Sequence, residues 1–325
     1  MTQKIEISYR TIVFTVLFLL FLWAIFLIRD LILLLFIAVI VMTVFDPMVQ
    51  ALTRLRIPKG LSILSSYVLV FAVFGFIVAG VVPPLISETS SLVAGLPKYL
   101  ENLSLTPAVS DQILTEVLTK LGNIPGQLLK VGISLFSNVF GIITVLVFAF
   151  YMLLSRDKLD EQLALFFGED RKAEFRKLID ELEKRLGGWA RGQLLLMFLI
   201  AIANFIGLSL LKVPYALPLA LLAGVLEIVP FLGPIIAAVP AAIIGFGISL
   251  PVGIGVIIMA FAIQQIEGSF LIPRVFQKST GLSPIITLLA LAIGGRLAGI
   301  SGVLISVPIV ITLQVFIKRY VLSKD

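Results

Sequence analysis

No cysteine and no histidine occur among the 325 residues of this chain. The first absence excludes disulfides and thiol chemistry. The second excludes Ser-His-Asp triads, histidine metal sites such as HExxH, and imidazole proton relays. There is no GxxxxGK[ST] phosphate loop, so nothing suggests that the chain hydrolyses ATP. An intramembrane aspartyl protease needs two facing mid-membrane aspartates, whereas Asp30 and Asp46 both fall at the ends of apolar runs. These exclusions leave no enzyme, cofactor or metal centre to expect. Charge is scarce too: 14% of residues are charged, against about 25% in an ordinary soluble protein.

Apolar surface is abundant. Hydrophobic residues make up 59% of the chain and the mean hydropathy is +1.13, more than a soluble fold of this length can bury. The solvent is therefore lipid, and the expected class is an all-α polytopic membrane protein. The net charge of +6 reads as Lys and Arg of cytoplasmic loops rather than as a nucleic-acid footprint. The opening MTQKIEISYRTIVF resembles the start of a signal peptide, but no small-residue cleavage site follows and a second apolar run begins at once, so it is expected to stay as an anchor.

A membrane-crossing helix needs about 20 apolar residues. Uncharged runs cover 11–28, 31–45, 61–87, 131–155 and 192–211. They continue over 213–226 and 228–266, parted only by Glu227, and over 279–295 and 297–317, parted only by Arg296. Two polar segments have helical periodicity of their own. Residues 107–122 place Ile113, Val117, Leu118 and Leu121 on one face, with Ser110 and Gly122 as caps. Residues 156–186 carry Phe175, Leu178, Leu182 and Leu186 at helical spacing among eight basic and nine acidic residues.

Lys and Arg set the orientation. Arg54, Arg56 and Lys59 in one loop, and nine Lys/Arg in 156–191, place both segments in the cytoplasm, while 88–130 has only Lys98, Lys120 and Lys130 and lies outside. Both termini are then cytoplasmic. In the second half Lys212 belongs outside, while the Arg274–Lys278 loop and the basic C-terminus belong inside. All three hold only if 217–247 and 284–317 each enter and leave by the same face. The expected fold has about six full spans plus two Pro/Gly-broken re-entrant hairpins, eight hydrophobic units in all. Pro230, Gly233 and Pro234 break the first hairpin; Gly294, Gly295 and Gly299 break the second. A span plus hairpin, twice and inverted, is a transporter arrangement, and broken backbone is tolerated at depth where it is buried in protein or lines a wet cavity. The expected organisation is scaffold spans over 1–155 with an extracytoplasmic segment 83–130, a charged cytoplasmic helix over 156–188, and a transport core over 189–320.

Charges at lipid depth are functional candidates by default. Glu227 is either a cap or ion-pair partner holding its hairpin, or a carboxylate that takes up and releases a proton; with no histidine present, Glu is the natural proton carrier. Gln264, Gln265, Glu267 and Arg274 share one apolar segment, suited to a small polyhydroxylated ligand or to hydrogen bonds between packed helices. Arg296 is a polar-ligand contact or the buried partner of Glu227 or Glu267. Arg191 and Gln193 read as anchors at the cytoplasmic mouth of a span, and Asn204 as packing or pathway.

Four stretches in order, RGQ at 191–193, VPYALPLALLAGVLEIVPFLGPIIAAVPA at 213–241, QQIEGSFLIPR at 264–274 and GLSPIITLLALAIGGRLAGISGVLISVPI at 281–309, resemble the AI-2E family of bacterial transporters, named for export of autoinducer-2. The likeness is specific over 185–320 and one of layout before that. It implies an inner-membrane, non-enzymatic secondary transporter and a homo-oligomer, with a pentamer as the form suggested. Its cargo would be a small polar metabolite such as autoinducer-2, coupled to protons, or Na+ or Li+ exchanged for protons. A third reading, a non-transporting membrane scaffold, has no use for buried charges. The family pattern falls on Glu227, Pro230, Gly233, Pro234, Gln264, Glu267, Pro273, Arg274, Gly281, Pro284 and Gly299.

Overall fold

A computed structural model describes residues 9–73, 75–76, 79, 83, 87, 91, 139–230, 232–276 and 281–320. The amphipathic segment expected over 107–122 lies outside the described residues, as does nearly all of 83–130. Every regular element among the described residues is helical. Five of the helices are long and apolar enough to cross a membrane, joined by shorter apolar ones, and the chain is a multi-pass membrane protein.

Helix α1 (Tyr9–Leu27) carries apolar residues on all sides and every described side chain on it is exposed, as expected of a helix surrounded by lipid. Helices α2 (Arg29–Arg54), α3 (Lys59–Val73) and α4 (Val139–Ser155) pack as a unit. Ala38, Met42, Phe45 and Val49 of α2 meet Ile63 and Tyr67 of α3 and Val145, Ala149 and Leu153 of α4. The Phe45 and Tyr67 rings meet edge to face at 4.7 Å, and the Tyr67 hydroxyl donates to the Leu146 carbonyl at 3.2 Å. The buried hydroxyls of Ser62 and Ser66 donate to backbone carbonyls, which keeps a small-residue face of α3 satisfied without water.

After α4 the chain makes a 3-10 turn (Arg156–Lys158), the short α5 (Leu159–Phe167) and a reversal at Gly168, whose φ of +80° only glycine adopts freely. Then comes α6 (Glu169–Leu210), 42 residues without a break. The charged helix and the following span expected as separate elements are therefore one rod, and the boundary expected at 188/189 falls inside it. Gly187 and Gly188 do not interrupt it because Gly187 is a contact point: an added Cβ would stand 2.9 Å from Thr43 Cβ, so the glycine lets α2 come close. One end of the molecule is ionic. Arg156 joins Asp46 of α2 at 2.6 Å and Glu183 of α6, Lys59 reaches Asp157 at 2.6 Å, and Arg319 near the end of the described chain donates to the Glu174 carbonyl at 2.7 Å. Of the four basic segments assigned to one side by charge, three, at 54–59, 156–191 and 318–319, meet at this end of the fold.

Lys212 and Tyr215 lie at the opposite end, where the Tyr215 hydroxyl donates to the Ser91 carbonyl at 3.2 Å. From there α7 (Ala216–Leu226) runs back along α6, the chain turns over 227–230, and α8 (Leu232–Ile248) returns to the same end. Helix α9 (Leu250–Ile266) descends again, capped by the Ser249 side chain, with Gly255 beside Leu211 and Gly207 against Met259. It continues through a π-helical turn (Glu267–Leu271) into α10 (Ile272–Phe276) near the ionic end. The last hairpin opens toward that end. Helix α11 (Ile285–Gly299) and α12 (Gly302–Tyr320) meet at a kink where Gly299 has φ +58° and ψ −139°. Of the three glycines expected to break it, only Gly299 does. Gly294 and Gly295 lie inside α11, and a Cβ on Gly294 would strike the Gly302 carbonyl, so their smallness brings the two arms together. The two hairpins thus open to opposite ends, and Val229 at the tip of the first packs with Leu291, Val307 and Ile311 of the second.

Candidate functional site

Where α7 ends, Glu227 turns into the interior. On the π-helical turn of the next long helix Glu267 points the same way. Both are buried, at 0% and 1% exposure, and their side chains stand close enough to interact. Gln264 Nε2 donates to Glu267 Oε2 at 3.2 Å. Glu267 Oε1 and both carboxyl oxygens of Glu227 have no hydrogen-bond partner among the described residues, and no Lys or Arg there pairs with either group. A like-charged pair in a dry interior with no counter-ion is costly and is not placed there for stability.

The backbone explains how both groups are delivered. Pro230 has no N–H, so α7 cannot continue past it, and the Leu226 carbonyl is taken instead by the Val229 N–H at 3.0 Å. Pro230 therefore belongs to the turn, whereas Gly233 and Pro234 form the first turn of α8. A Cβ on Gly233 would run into the Leu226 carbonyl, so glycine is what allows the hairpin to close this tightly. On the other side the π-helical turn widens the helix at Glu267, a geometry found often at functional positions. Pro273 supports it by supplying no N–H to the carbonyl one turn earlier. Gly268 has open space around it, with nothing within 4 Å of an added Cβ.

The tripeptide Arg191-Gly192-Gln193 on α6 ties three elements together. Arg191 donates to the Thr43 carbonyl of α2. Gly192 is overlain by α10, and a Cβ there would lie 2.8 Å from Val275 and 2.9 Å from Phe276. Gln193, buried, donates to the Glu227 carbonyl at 2.8 Å. Read from sequence as membrane-edge anchors, these residues are instead the crossing point of the core. The clue in the sequence was glycine between two long polar residues, a close approach flanked by donors.

The other expected site residues are not brought to the pair. Asn204 spends its amide on the Ile200 carbonyl one turn back, at 2.9 Å. Gln265 is exposed on the far side of α9 from Glu267. Arg274 is exposed and sits over the Phe270 ring at 6.0 Å. Arg296 is exposed near the second hairpin's kink, and no ion pair joins it to Glu227 or Glu267 among the described residues. The hydrogen bond between Gln264 and Glu267 is the part of that segment's expected cluster that forms. Two clefts lie at the ionic end: an apolar one of about 580 Å³ beside Phe36, Phe148, Leu182 and Leu186, and a polar one of about 780 Å³ beside Asp46, Lys59, Asp157 and Arg176. Neither is lined by Glu227 or Glu267.

Comparison with known proteins places this arrangement in context. The profile of the AI-2E family transporter matches residues 12–322. YueF of Bacillus subtilis, a proposed transport protein, is 30% identical over 310 residues, covering 88% of this chain and 83% of its own. YrrI of the same organism is 28% identical, covering 84% and 82%, and a proposed transport protein of Haemophilus influenzae is 28% identical, covering 87% and 84%. The chain belongs to the AI-2E transporter family.

Proposed function

We propose that this membrane transporter is a secondary carrier in which Glu227 and Glu267 together bind and release the coupling ion. The observation that carries the reading is the buried pair itself. Two carboxyls with three unspent oxygens and no basic partner among the described residues become electrically tolerable only when a proton or a small cation sits between them. The carriers compete for the same oxygens, so entry of one expels the other, which is the elementary requirement of exchange.

Of the two cargoes in view, the geometry favours a monovalent cation, Na+ or Li+, exchanged for protons. A hydroxylated metabolite such as autoinducer-2 needs donors as well as acceptors. The two amides nearest the pair are already engaged, Gln193 on the Glu227 carbonyl and Gln264 on Glu267. Metabolite export coupled to protons through the same pair is the second reading, supported by the family's name and by Gln264 as a donor that could be released. On either reading the two hairpins give the site access from opposite faces, with the protein in the bacterial inner membrane and its basic end in the cytoplasm.

Reconstitution with a trapped pH dye tests this. Na+ or Li+ added to one side is expected to drive proton movement in wild type, and Glu227→Gln or Glu267→Gln to abolish it. Proton movement with autoinducer-2 alone would replace the cation reading by the metabolite one. Full activity in both variants would remove the pair from coupling altogether.

A further inference from the structure

Gln193 is a buried polar side chain at this crossing to which the coupling reading gives no part in holding the ion, and its hydrogen bond goes to neither carboxyl. Its Nε2 donates to the backbone carbonyl of Glu227 at 2.8 Å. That carbonyl lies just past the end of α7, where Pro230 stops the helix, and among the described residues Gln193 is the donor it receives. The residue carrying one of the two carboxyls is therefore held in place by a side chain from another helix.

Three further contacts show that this hold is part of a clamp. Gly224 presses α7 onto α6, with an added Cβ 2.6 Å from Ala201 Cβ and 2.8 Å from the Met197 carbonyl. Gly233 locks the returning arm against Leu226. Gly192, next to Gln193, receives Val275 and Phe276 from the far side of the π-helical turn. The hairpin tip is thus fixed to α6, while Glu267 sits on an irregular turn with free space beside Gly268. Of the two carboxyls, Glu227 is the one whose backbone is held by a side chain of another helix.

We infer that Gln193 is a positioning residue, which sets the affinity of the ion site by holding the Glu227 backbone against α6. The inference rests on the coupling reading above. Without the amide, the tip carbonyl is left unsatisfied in a dry interior and the turn relaxes to find another donor, so Glu227 no longer meets Glu267 in the binding geometry. Binding suffers while the steps that open and close the carrier are untouched, because Gln193 does not lie on the irregular turn.

The test uses the full-length protein in proteoliposomes, with Na+ and Li+ as the probes and the trapped dye as the readout. Gln193→Met keeps the length and removes the donor. It is expected to raise the half-saturating cation concentration about tenfold, with the maximal rate within about twofold of wild type. Should that variant fail to fold, judged by its melting midpoint in cation-free detergent, Gln193→Asn keeps the amide but withdraws it by one methylene, and the same rise is expected. An unchanged half-saturation, or a fall in maximal rate alone, would overturn the inference. Glu227→Gln measured in parallel separates the two layers. If it exchanges normally, the coupling reading fails and takes this one with it; if it is silent while Gln193→Met matches wild type, only the role of Gln193 falls.

Discussion

Glycines that look alike in the sequence differ sharply once their neighbours are known. Gly233 abuts the Leu226 carbonyl, whereas Gly268 faces open space. Gly233→Ala is therefore expected to lower the melting midpoint by the equivalent of about 1–3 kcal/mol, the usual cost of overpacking a tight contact, while Gly268→Ala is expected to be nearly silent; thermal unfolding of both in detergent checks this. Glu183 offers a pH test outside the membrane. Burial raises its pKa, and Arg156 beside it only partly offsets this. A carboxyl whose folded pKa lies above its unfolded value favours the fold fully below the unfolded value and loses that contribution as pH rises through the folded one. Wild type is thus expected to lose stability relative to Glu183→Gln as the pH is raised from acid through the range just above ordinary carboxylates, and melting curves of the two proteins at stepped pH would show it. Glu227 and Glu267 could be picked out from sequence because a charge in an apolar run is conspicuous. Their pairing could not, because like charges give no reason to seek each other and Arg296 offered an electrostatically cheaper partner. Gln193 reads as an anchor from sequence because a polar residue near a span's edge is ordinarily solvated, and only the fold shows that a hairpin tip covers it.

The hairpins were legible as elements. Prolines and glycines in an uncharged run, with basic residues needing the same side before and after, leave few other paths for the chain. The π-helical turn over Glu267–Leu271 was not, because it differs from α-helix by one residue's worth of register and leaves the apolar pattern intact. That suggests a direct trial. Deleting Gly268 should restore regular α-helix and remove the widening at Glu267 while leaving α10 nearly in phase with α9, because four α-helical residues sweep about the same angle as five on the wide turn. The expected result is a folded, monodisperse protein with no cation-driven proton movement; retained exchange would mean that the wide turn is incidental. The kink between α11 and α12 has a different physical basis. Gly299 occupies φ +58°, ψ −139°, a region essentially closed to side-chain-bearing residues, so Gly299→Ala is expected to cost on the order of 1–3 kcal/mol, read as reduced folded yield and melting midpoint. Gly294 and Gly295 were assigned to that break and belong instead to the packing of its arms. A run of glycines shows that something must come close without showing whether it is a turn or a neighbour.

At the scale of the whole molecule the arrangement is two hairpins opening to opposite ends around one long helix. Because the chain has no cysteine, single cysteines report without background. An impermeant thiol reagent added from one side is expected to label cysteine replacing Tyr215 and Leu250 alike, and to leave cysteine replacing Gln314 unlabelled until the membrane is opened. Labelling of 215 and 250 from opposite sides would turn the first hairpin into a full crossing. Charge counting grouped four basic segments, and the three at 54–59, 156–191 and 318–319 meet at one end, since each is rich in Lys and Arg. It could not foretell that α6 continues from water into lipid without a joint, because paired glycines and a switch from charged to apolar residues ordinarily mark a boundary. That continuity has a mechanical consequence. Helix α6 bears on α2 at Gly187, about 27 Å from its charged start and about 9 Å before Gln193, taking 1.5 Å per residue. A stiff rod resting on such a fulcrum is a lever with a ratio near three to one. A sideways push of about 3 Å at Glu169 arrives at the hairpin tip as about 1 Å in the opposite direction, roughly the difference between making and breaking a hydrogen bond. The charged end of α6 is thereby mechanically linked to the hairpin tip that carries Glu227, which it never touches.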